Sequence, residues 1–398
     1  MDKSFQPFRH SFLAQLILCV SISIFTALLI EVGSGRARHW VGVWPSYQHL
    51  LLNLNEPMGR LRWILGDLSE VTFYKHELPA LGLLAGAWLA HWAQRNSRCW
   101  QGFNVCYASG LWPWLVTSSL AGLLLSHLLW GWTLDAGAWQ PTFVAFVSVP
   151  AAWVLIYGKG WRVALAGALL GALLVTPASL LLVNYVCVPL ALPAALGSLT
   201  GMALAGAVAF TLCRRSPKLR PDCPGVTGAA GTEHAQPGGY GMVWTIRRVL
   251  ADFSEAFFLG NELASLGLLS GVLAAYALSP ASPAYGSLLV PEIVTGQALA
   301  SLIGVLAWRR QWISHGWYPT YIPIVSIVPV AILTLGGSWP VMLLSAGLGA
   351  MIGPPLAIAI NLRLPRYMPT HIGCVLAMAL STLVLVPLVG LLTKYIPA

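Results

Sequence analysis

Eleven stretches of this chain are apolar over the length a helix needs to cross a bilayer's hydrocarbon, roughly 20 residues, and that repetition leaves few folds open. They lie near 11–31, 78–93, 110–132, 141–158, 161–187, 188–213, 263–279, 286–308, 319–336, 339–361 and 370–393. Only 9% of the residues are Asp, Glu, Lys or Arg, where a water-soluble domain uses about 25%. With 57% of residues hydrophobic, the outer surface has to face lipid. The 11–31 run follows Lys3 and Arg9, is too long for a secretory signal and precedes no Ala-x-Ala site, so it is read as a retained first helix.

The seven cysteines stand singly, with no Cys-x-x-Cys and no Cys/His cluster, so neither a disulfide scaffold, a metal nor another cofactor is expected. The formal net charge of +9 would point to nucleic acid in a soluble protein. Here the basic residues sit in short runs between apolar segments, as in loops that orient membrane helices, and no nucleic-acid partner is expected. The stretch RRSPKLRPDCPGVTGAAGTEHAQPGGYG from Arg214 is polar and rich in Pro and Gly. It reads as a flexible linker, 214–245, dividing a first membrane unit (61–213) from a second (246–398), with 1–60 holding the first helix and an amphipathic loop.

The two units are copies. LRWILGDLSEVTFYKHELPALGLLAG (61–86) aligns without a gap on IRRVLADFSEAFFLGNELASLGLLSG (246–271) at an offset of 185, with thirteen of twenty-six positions identical. A second block follows in the same order at an offset of 178. Pro141, Thr142, Ser148, Gly158, Trp161, Gly171 and Pro177 recur as Pro319, Thr320, Ser326, Gly336, Trp339, Gly349 and Pro355. Each copy carries five spans, an odd number, so the second inserts upside down relative to the first.

Charge gives an independent check on that topology. With the N-terminus inside, sixteen of the 22 Lys and Arg residues fall on the inner side and six on the outer, the asymmetry that sets orientation. The expected fold is therefore an all-α integral membrane protein of about 11 transmembrane helices, one N-terminal helix plus two five-helix inverted-topology repeats. Its expected place is a bacterial inner (plasma) membrane with the N-terminus cytoplasmic.

Six of the thirteen acidic residues lie in the first repeated block: Asp67, Glu70 and Glu77, and their counterparts Asp252, Glu255 and Glu262. On one continuous helix these spacings would gather three acids within about 80° of arc. Two readings follow. The segment is a solvated interfacial helix whose acids balance Arg62 and Arg247, or the acids bind a substrate or coupling cation, since carboxylates at membrane depth are costly and usually functional. Glu77 and Glu262, each followed at once by an apolar run, are the foremost candidates.

The spans 161–187 and 339–361 each lead a stripe of small residues into a proline: Pro177 in one, Pro354 and Pro355 in the other. Proline deletes a backbone hydrogen bond and kinks or breaks a helix, and interrupted helices at matching places in two halves point to a transporter binding site. Asn184 and Asn361, a turn or two beyond, could bond a substrate there. Glu292, with Gln297 on the same span, is an intramembrane acid without a counterpart in the first copy. His91 and His127 stand alone and read as packed side chains.

Inverted repeats are a common construction of secondary transporters, and no Gly-x-x-x-x-Gly-Lys-Ser/Thr loop offers ATP chemistry. The expected function is gradient-driven transport of a small polar solute, without enzymatic conversion. The expected partners are the lipid bilayer and a small-molecule or ion substrate, with self-association left open. A membrane enzyme or flippase for lipid-linked substrates, or a non-catalytic subunit of a complex, is the alternative. Against an enzyme stand the absent nucleophile motif and metal box.

Overall fold

The computed structural model describes residues 44–135, 138–215 and 239–395. The expected first span (11–31) and most of the linker lie outside these residues. The described chain is built from helices, with no strand among the described residues. In order they are α1 (Tyr47–Leu52), α2 (Pro57–Asp67), α3 (Glu77–Arg95), α4 (Trp112–Trp130), α5 (Val149–Tyr157), α6 (Trp161–Cys187) and α7 (Ala194–Arg215). There follow α8 (Met242–Glu255), α9 (Glu262–Leu278), α10 (Val290–Ala307), α11 (Arg309–His315), α12 (Ile327–Leu335), α13 (Trp339–Asn361) and α14 (Thr370–Thr393).

Among the described residues, six helices are long and apolar enough to cross a membrane: α4 continued to Thr133, α6, α7, α10, α13 and α14. They are consistent with a multi-pass membrane protein. The remaining expected spans take other forms. The stretches Thr142–Tyr157 and Glu262–Leu278 are apolar but shorter, and 319–336 divides into a 3-10 turn, Ile322–Val325, and the nine-residue α12. Helix α3 has 19 residues but carries Glu77, His91 and Arg95.

Outward faces are apolar and inward faces are small or hydroxylated. Leu165, Leu169, Leu173 and Leu181 of α6 are exposed, as are Leu380, Leu383 and Val384 of α14, contiguous apolar surface of the kind that suits lipid. On α4, Ser118, Ser119, Gly122 and Ser126 are buried instead. Ser118 Oγ donates to Ala164 O (2.8 Å) and Ser126 Oγ lies 2.8 Å from Thr176 Oγ1. Small side chains let the backbones approach, and hydroxyls then join the helices.

The prolines do not interrupt their helices. Helix α6 widens into a π turn at Gly171–Val175, where Thr176 N–H bonds to Gly171 O. Continued one residue, that pattern would send the next N–H to Ala172 O, but the next residue is Pro177, which has none. Trp130 Nε1 donates to Ala172 O instead (2.8 Å). In α13 the α-helical partner of Pro354 would be Ala350 O, and Trp308 Nε1 takes it at 2.9 Å. The expected breaks are thus continuous helices, because an indole on a neighbouring helix satisfies the carbonyl a proline frees, as lipid demands.

Helices α3 and α9 cross with their backbones touching. A Cβ added to Gly82 would collide with the Gly267 carbonyl, and one added to Gly267 would collide with the Gly82 carbonyl. A turn along, Gly86 faces Leu263 and Ala264, while Gly271 faces Leu78 and Pro79. Each contact at the crossing is answered by the contact 185 residues away, as a two-fold relation between the helices requires.

The acidic blocks depart from expectation. Residues 61–86 form a helix–turn–helix: α2 ends at Asp67, a 3-10 turn covers Glu70–Thr72, and α3 starts at Glu77. The second block turns likewise between α8 and α9. The reversal is made by Phe73 (φ 67°) and Phe258 (φ 61°) in the left-handed region, and a serine staples each turn. Ser69 Oγ donates to His76 O (2.9 Å) and accepts from His76 N (3.1 Å), and Ser254 Oγ makes the same pair with Asn261 O and N (3.0 Å each). The three carboxylates of each block therefore do not lie on one continuous helix, since Glu77 and Glu262 begin the next one, while Asp252 and Glu255 stay together on α8.

Candidate functional site

Two carboxylate clusters form at these turns. In the first, Asp67 and Glu70 are buried, with 0% and 1% of their surface exposed, which removes the solvated-helix reading for them. Lys75 Nζ reaches between them, bonding to Asp67 Oδ1 and to Glu70 Oε2 (2.6 Å), with the Trp63 ring centroid 3.8 Å away. Asp67 Oδ2 accepts from Thr142 Oγ1 (2.7 Å) and lies 2.8 Å from His127 Nε2. Glu70 Oε1 accepts from Trp139 Nε1 (2.5 Å) and Tyr285 OH (3.2 Å).

The second cluster repeats the design. Asp252 and Glu255 are buried, and Arg248 bridges them, Nε to Asp252 Oδ1 at 3.0 Å and Nη2 to Glu255 Oε2 at 2.7 Å. Its guanidinium lies 4.7 Å from the Trp312 ring centroid and 5.4 Å from that of Phe103. Ser301 Oγ donates to Asp252 Oδ2 (2.7 Å). Glu255 Oε1 accepts from Trp317 Nε1 (2.9 Å) and Tyr107 OH (3.0 Å). Trp139 and Trp317 differ by 178 in number, as do Tyr107 and Tyr285. In each cluster the tryptophan comes from the glutamate's own half of the chain and the tyrosine from the other half.

Both glutamates face cavities. Glu70, Trp139 and Tyr285 line one of about 410 Å³ whose wall is otherwise mostly apolar, including Phe73, Phe143, Leu199 and Met202. Glu255, Trp317 and Tyr107 line a smaller one of about 40 Å³ together with Arg248. Each cluster sets two carboxylates around a single lysine or arginine, so its remaining oxygens favour hydrogen-bond donors or positive charge. Buried carboxylates are tolerable on such terms because the neutral donors, indole, phenol and hydroxyl, fill the other lone pairs.

Glu77 and Glu262 lie outside the two clusters. Each begins a helix, where the N-terminal dipole favours negative charge, and each meets an arginine: Arg62 Nε to Glu77 Oε1 at 2.7 Å and Arg247 Nε to Glu262 Oε1 at 2.7 Å. Trp44 Nε1 adds a bond to Glu77 (3.0 Å), and the Phe103 amide adds one to Glu262 (2.5 Å). Asn184 pairs with Gln140, Nδ2 to Oε1 at 3.0 Å, and Asn361 Nδ2 lies 3.8 Å from Cys374 Sγ at the end of α13. Glu292 sits in the first turn of α10, against Gly337. Gln297, on the same helix, straps three elements: Nε2 donates to Thr72 O (3.1 Å) and Ile324 O (2.8 Å), and Oε1 accepts from Tyr74 OH (2.7 Å).

Sequence reasoning found the acids but not their partners. Trp139 and Trp317 stand two residues before Pro141 and Pro319, so extending the second block backward would have exposed them. Tyr107 and Tyr285 share the same offset inside dissimilar loops. His127, read as a packed and satisfied side chain, is paired with Asp67. Compared with protein-family models, with curated proteins and with solved structures, the chain matches none.

Proposed function

We propose that this protein is a gradient-driven membrane transporter for a small polar solute, with two oppositely inserted repeats enclosing the passage. One observation carries the reading. Two glutamates, Glu70 and Glu255, each face a cavity and are held by a tryptophan of their own half and a tyrosine of the other. A site built across both halves changes when the halves move against each other, which is the working principle of transporters made from inverted repeats. A solute that donates hydrogen bonds, or carries positive charge, meets a carboxylate flanked by aromatic faces at either cavity. No chemical conversion is invoked, and the energy comes from a gradient rather than ATP.

Uptake into liposomes holding the purified protein, under an imposed solute, proton or sodium gradient, tests this reading. Glu70→Gln and Glu255→Gln keep shape while removing charge and should each slow uptake about tenfold. Glu56→Gln, an exposed side chain at the start of α2, should change little. Native rates in both cluster variants would overturn the proposal. The mainly apolar wall of the larger cavity supports a second reading, movement or modification of a lipid-linked substrate with its chain seated there. Headgroup translocation or product formation in the same liposomes, without solute uptake, would favour it.

A further inference from the structure

At an offset of 185, Trp63 of the first half corresponds to Arg248 of the second, and Lys75 corresponds to Gly260. Neither pair looks alike. The structure makes them complementary. In the first half the cation comes from the turn: Lys75 reaches back to Asp67 and Glu70 beneath the Trp63 ring. In the second half it comes from the helix: Arg248 reaches Asp252 and Glu255, and position 260 carries no side chain. A Cβ at Gly260 would collide with Glu255 Oε2, so the space that Lys75 enters in one half is closed by the carboxylate in the other. Lys75 keeps its place at φ 39°, where Gly260 has φ 57°. A long side chain in that left-handed region is strained and persists where the surroundings require it.

We propose that Lys75 and Arg248 are one positioning cation placed at two different points of a duplicated motif. Each holds its carboxylate pair so that one glutamate oxygen stays aimed at the Trp and Tyr donors by the cavity. The cation can therefore be moved: arginine at position 63 with glycine at position 75 rebuilds in the first half the arrangement of the second. The charge count forbids doing this by halves, because one change alone leaves the carboxylate pair with no lysine or arginine, only His127 beside Asp67, or with two.

Three variants test the exchange: Lys75→Gly, Trp63→Arg, and the two combined. Two readouts apply, gradient-driven uptake in liposomes and the indole N–H resonance of ¹⁵N-labelled Trp139. The resonance reports whether the Glu70 oxygen is still in place and does not depend on transport. Lys75→Gly should slow uptake at least about tenfold and move the Trp139 signal toward that of an unbonded indole, since one partner of a buried ion pair is lost. The double variant should return the signal to its native position and uptake to within about twofold. If Lys75→Gly does not fold, a double variant that does fold is the rescue. A double variant as defective as Lys75→Gly, or a Trp139 signal unmoved by Lys75→Gly, overturns the proposal. The transport readout rests on the function proposed above. A restored signal without uptake in any variant, native included, would uphold the exchange and sink the transport reading.

Discussion

An indole N–H on the carbonyl that a proline leaves bare is a small device, and its recurrence at Trp130 and Trp308 gives it a measurable role. A carbonyl stranded among apolar helices has no water to turn to, so the phenylalanine that removes only the donor isolates its contribution. Trp308→Phe should lower stability by about 1 kcal/mol, the upper part of what interhelical hydrogen bonds deliver in membranes, read as a lower unfolding temperature in detergent. Combined with Pro354→Ala, which restores the missing N–H to Ala350 O, the same substitution should cost clearly less. Equal losses with and without the proline would mean that the indole acts by packing alone. The proline pair drew the eye in the sequence because proline is rare inside helices. The tryptophans did not, since nothing local to residue 130 or 308 announces a carbonyl more than forty residues away.

Helices α3 and α9 show what the same physics does at larger size. Gly82 and Gly267 press carbonyl on carbonyl, leaving no volume for a methyl group. Gly82→Ala or Gly267→Ala should cost about 3 kcal/mol, the upper range for overpacking, and lower the yield of monodisperse protein. Gly347→Ala on α13, where nothing lies within 4 Å of the added atom, serves as the neutral control. The helices themselves were legible because apolar runs of fixed length carry most of the signal, as the coincidence of α6, α13 and α14 with the expected spans 161–187, 339–361 and 370–393 shows. The turns between α2 and α3 and between α8 and α9 were hidden. Periodicity alone continued the helix past Asp67 in one block and past Glu255 in the other, and only side-chain bonds from Ser69 and Ser254 to residues seven positions on reveal the reversal. The acids were visible as a repeated pattern. Their cations were not, because Trp63 against Arg248 and Lys75 against Gly260 register as mismatches until contacts show that the differences compensate.

For the molecule as a whole, the expectation with the widest reach is opposite insertion of the two halves. Single cysteines placed in the 214–241 linker should be shielded from a membrane-impermeant thiol reagent in intact cells, while cysteines in the 280–285 loop should be labelled. Equal labelling from outside would refute opposite insertion. The tyrosines that cross between halves add a demand on biogenesis. When the first half leaves the ribosome, Glu70 has no Tyr285, and Tyr107 has no Glu255. The first cluster cannot close until the chain past Tyr285 has been made and inserted, nor the second until the chain past Trp317 has. The first half must wait in the bilayer with a buried carboxylate short of a donor, so a chain truncated at the linker is a ready target for membrane quality control. Two fragments supplied together could shield each other, because the bonds that complete the clusters are made between halves and do not need the linker to be intact.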